Sequence, residues 1–252
     1  MSINLQSLPY ELSAEIRSQA AIGLLTLATD HVIEHEFRLL LNLPGVAIYG
    51  NRLANAATIT PDTLRAMQDK LADCADVILP GMPLDVIGYG CTSGSLYIGE
   101  REVDRCIRSV RPEVKTTNPI TATVAALSAM HTCNFALITP YRDEINQDLR
   151  DYFENQGFEI PVIGSFNEED DNKVGQMTPE CIGKVVLELG QHKSVDTVFV
   201  SCTNLRIAAE VKRLEDELGK PVTSSNHALA WHCLRLAGVD DALPQFGKLF
   251  TV

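Results

Sequence analysis

The chain has 252 residues, 45% of them hydrophobic, and its 33 acidic against 21 basic residues give a formal net charge of −12. That balance argues against a nucleic-acid or anionic-membrane surface, both of which need clustered Lys and Arg, and no apolar run approaches the roughly 20 residues of a membrane span. Met1 to Ala20 carries polar and charged residues where a signal peptide needs an apolar core, so the expectation is a cytoplasmic protein whose partner is a small molecule or another copy of itself.

In chain order, residues 1–20 read as a helical lead-in. Ala21 to Leu27 is the first strand, and Thr29 or Asp30 then caps a helix with Ile33, Phe37, Leu40 and Leu41 at helical spacing. Val46 to Tyr49 is the second strand, closed by Gly50, and Thr60-Pro61 opens one long helix through Leu64, Met67 and Leu71. Asp85 to Tyr89 is the third strand, running into Cys91. A polar helix to about Val110, a short strand Val114 to Thr116 and an Ala-rich helix Asn118 to Met130 follow. The scheme then repeats: strand Phe135 to Thr139, helix Asp143 to Asn155 stopped by Gly157, strand Ile160 to Ile163, helix Pro179 to Leu189, strand Val198 to Val200, helix Leu205 to Leu218, a short strand at Val222 and a last helix Asn226 to Leu236 ending at Gly238. Between residues 166 and 178 the acidic run Glu168-Glu169-Asp170-Asp171-Asn172 is too long for a simple connection. It reads either as a lid or as a solvated loop.

The repeat has its own landmarks. Asp85-Val86-Ile87-Gly88-Tyr89-Gly90-Cys91-Thr92 recurs as Asp196-Thr197-Val198-Phe199-Val200-Ser201-Cys202-Thr203, and Cys91 to Cys202 spans 202 − 91 = 111 residues. Asp30 and Asp143, Gly50 and Gly164, Thr60-Pro61 and Thr178-Pro179, and Thr116-Thr117-Asn118 and Ser224-Ser225-Asn226 follow at similar offsets. Ordered matches of this kind indicate an internal duplication: a first half of 1–118 plus 226–252, onto which the last helix packs back, and a second half of 119–225. Strands alternating with helices imply an α/β fold with parallel sheets and right-handed crossovers.

Seven cysteines, an odd number with no Cys-x-x-Cys pair, indicate free thiols in a reducing compartment. Cys91 and Cys202 stand apart because each follows a strand and precedes a helix, where unpaired backbone N–H groups are expected to lower a thiol pKa. The same N–H groups, with the hydroxyls of Thr92, Ser93 and Thr203, suit a carboxylate or an enediolate. Two such cysteines facing one site would remove a proton from one face of a carbon and deliver one to the other. His31 and His35 are four residues apart, but Val32 stands where a zinc hydrolase has Glu and no third ligand follows, so no metal is expected. His227 sits at a helix start and reads equally as a substrate contact or an ordinary cap.

Gly90-Cys91-Thr92-Ser93, Ser201-Cys202-Thr203-Asn204, Thr139-Pro140-Tyr141 and Asp171-Asn172-Lys173-Val174-Gly175 together resemble the aspartate/glutamate racemase superfamily, in its maleate isomerase and arylmalonate decarboxylase branch. The resemblance implies two pseudo-symmetric Rossmann-like α/β halves with the active site between them, no cofactor, a small carboxylate substrate, and a homodimer or larger assembly. It assigns catalysis to Cys91 and Cys202, a phenolic contact to Tyr141, oxyanion binding to Thr92 and Ser93, and substrate binding to Asn172. Two departures shape the expected reaction. The decarboxylases carry Gly where this chain has Cys91, and maleate isomerases carry Asn in the first loop where it has Asp30, which suits a substrate with an amino or amidinium group. The stretch Leu27 to Phe37 also resembles members linked to ectoine and hydroxyectoine breakdown. The leading expectation is a racemase or epimerase acting next to a carboxylate. Maleate cis-trans isomerisation by cysteine addition, malonate-type decarboxylation, and a carboxylate-binding or thiol redox-sensing protein are the alternatives.

Overall fold

The computed structural model describes residues 3–13 and 15–252. In chain order, β1 (Ala20–Leu27), α1 (Ile33–Leu40), β2 (Val46–Leu53), α2 (Pro61–Arg65), α3 (Leu71–Asp76), β3 (Val86–Gly90), α4 (Thr92–Ile98), α5 (Glu100–Arg108), β4 (Lys115–Thr117) and α6 (Pro119–Ala129) form the first series. The second is β5 (Asn134–Thr139), α7 (Asp143–Asn155), β6 (Glu159–Ser165), α8 (Asp171–Val174), α9 (Pro179–Gly190), β7 (Thr197–Val200), α10 (Val211–Leu218), β8 (Val222–Ser224) and α11 (Ser225–Ala237). Two parallel sheets result, in the orders β2-β1-β3-β4 and β6-β5-β7-β8, so adding four to each label turns one sheet into the other. The central strands β1, β3 and β7 are buried along their whole length and β5 from Phe135 onward, as parallel strands covered on both faces must be.

The duplication reaches individual hydrogen bonds. Asp85 precedes β3 and its Oδ2 accepts from the Ala21 N–H at the start of β1, at 2.7 Å. Asp196 precedes β7 and accepts from Asn134 N–H at the start of β5, at 3.0 Å. Thr60 and Thr178 are both side-chain N-caps with proline in the first turn. The last helix departs from the expected match: its cap is Ser224, whose oxygen accepts from His227 N–H, and Asn226 lies inside the helix.

Several element boundaries differ from the sequence expectation for local reasons. Residues 3–13 form no helix or strand and bend at Ser7, and in this lead-in Glu15–Arg17 forms a helical turn of 3-10 type; Met1, Ser2 and Ala14 lie outside the described residues. The polar helix after Cys91 is two helices, broken at Gly99, whose φ of +90° no L side chain adopts readily. The helix opened by Thr60 stops at Arg65 and resumes at Leu71 after a 3-10 turn. β2 runs through Gly50 to Leu53, and the helix expected from Leu205 begins only at Val211. α11 follows the last strand of the second sheet yet packs on α6, α1, β1 and β3, burying Leu229, Cys233 and Leu234 against Ile22, Phe37 and Val86.

Glu36 joins the two series. It is buried on α1, where its Oε1 accepts from Ile207 N–H at 2.8 Å and Ala208 N–H at 2.7 Å, in the segment after β7. Its Oε2 accepts from Asn226 Nδ2 at 2.8 Å, and the same amide donates to Thr203 O at 2.7 Å. Desolvation outweighs these three donors and pushes the carboxyl up to about 7. Because the folded pKa is raised, the wild type should lose roughly 3 kcal/mol of stability relative to Glu36→Gln as pH rises from about 4.5 through about 7, and the difference should stay flat above that. Urea midpoints of both proteins across that range measure it, and a constant difference would contradict the assignment.

Candidate active site

Each cysteine stands just beyond the carboxyl end of a central strand, the position where open α/β sheets place their ligands. Cys91 is the N-cap of α4, and its Sγ accepts from Gly94 N–H at 3.2 Å. Gly94 has no space for a side chain: a Cβ there would lie 2.5 Å from Tyr89 Oη and 2.8 Å from Cys91 Sγ. Cys202 is held differently. Its Sγ accepts from Asn204 N–H at 3.4 Å, within a loop rather than at a helix end, because the next helix starts nine residues later at Val211. The two sulfurs are equivalent in the sheets and unequal in local structure.

Ser225, the first residue of α11, ties the two loops together. Thr92 Oγ1 donates to Ser225 Oγ at 2.8 Å, and Cys202 N–H donates to the same oxygen at 3.0 Å. The Thr92 hydroxyl proton is thereby committed to holding the loops, leaving its oxygen lone pairs toward the site.

A narrow cleft with a cavity volume of about 20 Å³, room for little more than one water, lies between the halves. Cys91, Thr92 and Ser93 line it from one side and Tyr141, Cys202 and Thr203 from the other. The Tyr141 hydroxyl faces Cys202 and Ser93. Asp171, which the sequence pattern left inside an acidic run, also lines the cleft, while no Lys, Arg or His does. Its Oδ2 accepts a short hydrogen bond from Thr29 Oγ1, which in turn accepts from Asn55 Nδ2 at 2.8 Å. The available signal for Asp171 was its place beside Asn172 in a motif shared with the family.

Two of the expected substrate-binding residues do not line the cleft. Asp30 turns back on its own chain, its Oδ1 accepting from Val32 N–H at 2.7 Å and Ile33 N–H at 2.8 Å at the start of α1. Its buried Oδ2 has no hydrogen-bond partner, and Thr203 lies beside it. Asn172 Oδ1 is 3.1 Å from His31 Nε2, on the outer side of α8. His227 is a core residue: Nδ1 meets Thr223 Oγ1 at 3.0 Å and Nε2 meets Phe246 O at 2.8 Å. Among the described residues no cluster of three His, Cys, Asp or Glu could hold a metal ion.

The acidic segment is neither a free lid nor a solvated loop. Ile59 N–H donates to Glu169 O and Asp171 N–H to Ala57 O, both at 3.0 Å, stitching the second half to the first over the cleft. Glu168 and Glu169 pair with Lys173 and Arg142, and Asp170 caps α8. The end of α8 then presses close to the first half, since a Cβ on its C-cap Gly175 would lie 3.0 Å from His31.

The expectation of lowered thiol pKa values is reversed. Burial pushes Cys91 up to about 12, with the Asp171 charge adding to the rise and the Gly94 N–H only partly offsetting it. Burial, and then Asp171, push Cys202 well above its ordinary value. One N–H donor per sulfur does not compensate for the loss of water around a thiolate. Burial likewise raises Tyr141, Asp30 and Asp171. The cleft therefore presents two thiols and a phenol that hold their protons, together with hydroxyls and the Asp171 carboxyl.

Residues 43–250 match the family model of arylmalonate decarboxylase. The chain is 25% identical over 201 residues to a maleate isomerase of Alcaligenes faecalis, covering 77% of this chain and 79% of that one. It is 29% identical over 207 residues to an arylmalonate decarboxylase of Bordetella bronchiseptica, covering 77% and 82%. A variant of the Nocardia farcinica maleate cis-trans isomerase, solved with a covalently bound succinylcysteine intermediate, superposes with a TM-score of 0.80 at 23% identity over 92% of this chain and 98% of that one. No helix among the described residues is long and apolar enough to cross a membrane. With a family model spanning most of its length, two duplicated α/β halves and a cysteine from each half in one cleft, the chain belongs to the arylmalonate decarboxylase family, a family of enzymes that includes maleate isomerases among its relatives.

Proposed function

We propose that the protein is a cofactor-independent isomerase that racemises or epimerises a carbon next to a carboxylate in a small, amino-acid-like substrate. The observation that carries this reading is that a thiol from each half lines the same cleft. In the forward direction one cysteine, as thiolate, takes the proton from the carbon, and the electron pair left behind delocalises into the carboxylate as an enediolate. The other cysteine, as thiol, returns a proton to the opposite face and becomes the thiolate. The two sulfurs exchange states with each turnover, and the reverse reaction starts from the exchanged state.

The remaining lining residues suit the intermediate. Hydroxyls of Ser93, Thr203 and Tyr141 supply hydrogen bonds to the enediolate where water is excluded. Asp171, with no basic side chain in the wall, favours a substrate carrying an ammonium or amidinium group and disfavours a dianion. A second reading, maleate isomerisation by addition of one sulfur to the double bond, rotation and release, is supported by the maleate isomerases among the relatives.

Proton NMR in D2O with aspartate, glutamate, hydroxyectoine, maleate and an arylmalonate separates the readings. Exchange of an α-hydrogen without change of skeleton is expected. Conversion of maleate to fumarate would replace this reading with the addition mechanism, and CO2 release from arylmalonate with decarboxylation. Cys91→Ala and Cys202→Ala should each cut racemisation by at least about 10²–10⁴-fold, and full turnover in both would refute the two-thiol mechanism.

Two further outcomes follow from the electrostatics. Because the reactive form is the thiolate and burial holds Cys91 near 12, kcat/KM should climb with pH beyond the ordinary thiol range of about 8.5 without levelling there. A plateau at that pH in an exchange-rate profile would contradict the buried-thiol assignment. Asp171→Asn should raise KM for an amine-bearing substrate by roughly 10-fold or more and improve binding of a dicarboxylate such as maleate. Unchanged KM values for both would remove Asp171 from substrate recognition.

A further inference from the structure

Tyr89 is a buried phenol to which the reaction proposed above gives no task. It is fully enclosed on β3, packs in one core with Met67, Leu71 and Cys74, and does not line the cleft. An apolar side chain would fill such a place with no hydroxyl to satisfy, and the repeat does this: the matching position in the second half, two residues before Cys202, is the buried Val200. The phenol belongs to the Cys91 half alone.

Its hydroxyl sits beside Cys91. A Cβ on Gly94 would lie 2.5 Å from Tyr89 Oη, 2.8 Å from Cys91 Sγ and 2.8 Å from Met67 Cε, so all three side chains crowd one point against the first turn of α4. The hydroxyl has a single proton to give, and it donates it to Met67 Sδ at 3.7 Å. A thioether is a weak acceptor. The other sulfur at hand becomes a strong one once it is charged, because hydrogen bonds to an ionised partner are roughly twice as strong as neutral ones. Turning about the phenol C–O bond is enough to re-aim the proton from one sulfur to the other. The phenol itself stays protonated, since burial and then the neighbouring Cys91 push its pKa well above the ordinary value.

We propose that Tyr89 is a positioning residue for Cys91: its hydroxyl donates to Met67 Sδ while Cys91 is a thiol, and turns to Cys91 Sγ when that sulfur is a thiolate. The inference rests on the reading of Cys91 as one of the two acid–base thiols. A thiolate there needs such a donor, because Asp171 on α8 opposes its charge and no cation lines the cleft. Gly94 N–H and the Ser93 hydroxyl are its other donors. Of the remaining titratable neighbours, Cys74 on α3 faces Tyr89, and Tyr141, from the loop after β5, faces Cys91 from the other half. Tyr141 stands to Cys202 as Tyr89 does to Cys91, but it lines the cleft and is shared with the substrate, whereas Tyr89 serves one sulfur. Tyr89, Met67 and Cys91 all belong to the first half, so movement between the halves leaves their arrangement intact.

Labelling with iodoacetamide at mildly alkaline pH, read for each cysteine by peptide mass spectrometry, tests this without any substrate. Opening of the cleft admits the reagent to both thiols, so the ratio of Cys91 to Cys202 labelling within one sample isolates the Cys91 thiolate. Tyr89→Phe removes only the hydroxyl and should lower that ratio by roughly 3- to 15-fold, because the thiolate population falls while the more basic sulfur regains about half of the loss, on a logarithmic scale, as nucleophilicity. Met67→Leu, close in volume, removes the competing acceptor and should raise the ratio. Shifts of opposite sign are not what looser packing produces. An unchanged ratio in Tyr89→Phe, or labelling of both cysteines altered in equal measure, would overturn the proposal. A ratio unchanged or lowered in Met67→Leu would overturn the sharing of the proton between the two sulfurs. Labelling is read without turnover and α-hydrogen exchange with it, so this inference and the assigned reaction fail by separate measurements.

Discussion

Two sulfurs line one cleft because two sheet ends face each other across a narrow gap. Each sheet delivers its cysteine at the carboxyl end of its third strand in chain order, β3 or β7, and the sheets have the same strand order. The opposed arrangement thus comes from topology, and neither cysteine needs a special local device to face the other. The cost of the arrangement is electrostatic. Burial removes water from around both sulfurs, and this loss of hydration is the main reason they hold their protons so firmly.

Beside an apolar core that both halves share, several polar ties converge on the Cys202 loop. Glu36 holds the segment after it through Ile207 and Ala208, Asn226 holds Thr203, Ser225 holds the Cys202 N–H, and Asn204 reaches back to Thr29 O. Since this loop lacks the helix N-terminus that orders Cys91, its geometry depends on groups from α1 and α11. A carboxylate and three amide-bearing or hydroxyl side chains do for Cys202 what a regular helix start does for Cys91.

The sequence made the strands, the duplication and the two cysteines legible because each depends on short-range pattern: β-branched runs, Asp at strand starts, Thr-Pro at helix starts. Features set by three-dimensional enclosure were not legible. The sign of the thiol shifts depends on how many atoms surround Cys91, which no spacing encodes. Asp30 looked like a site residue by position and turned out to satisfy the first turn of α1, whereas Asp171 looked like one more solvated acid and forms part of the wall. Glu36, inside an ordinary amphipathic helix, gave no sign of bridging the halves, because its partners are backbone N–H groups more than 170 residues away in the chain. Ser225 is similar: the Ser-Ser-Asn triplet marked a helix start without saying which of its hydroxyls would meet both loops.

The stitch formed by residues 57–59 and 169–171 over the cleft has a kinetic meaning. Because one strand of it belongs to each half, parting it to admit a substrate also moves the half that owns Cys91 relative to the half that owns Cys202. The two thiols therefore line one cleft only while this bridge between the halves is closed, as it is in the structure.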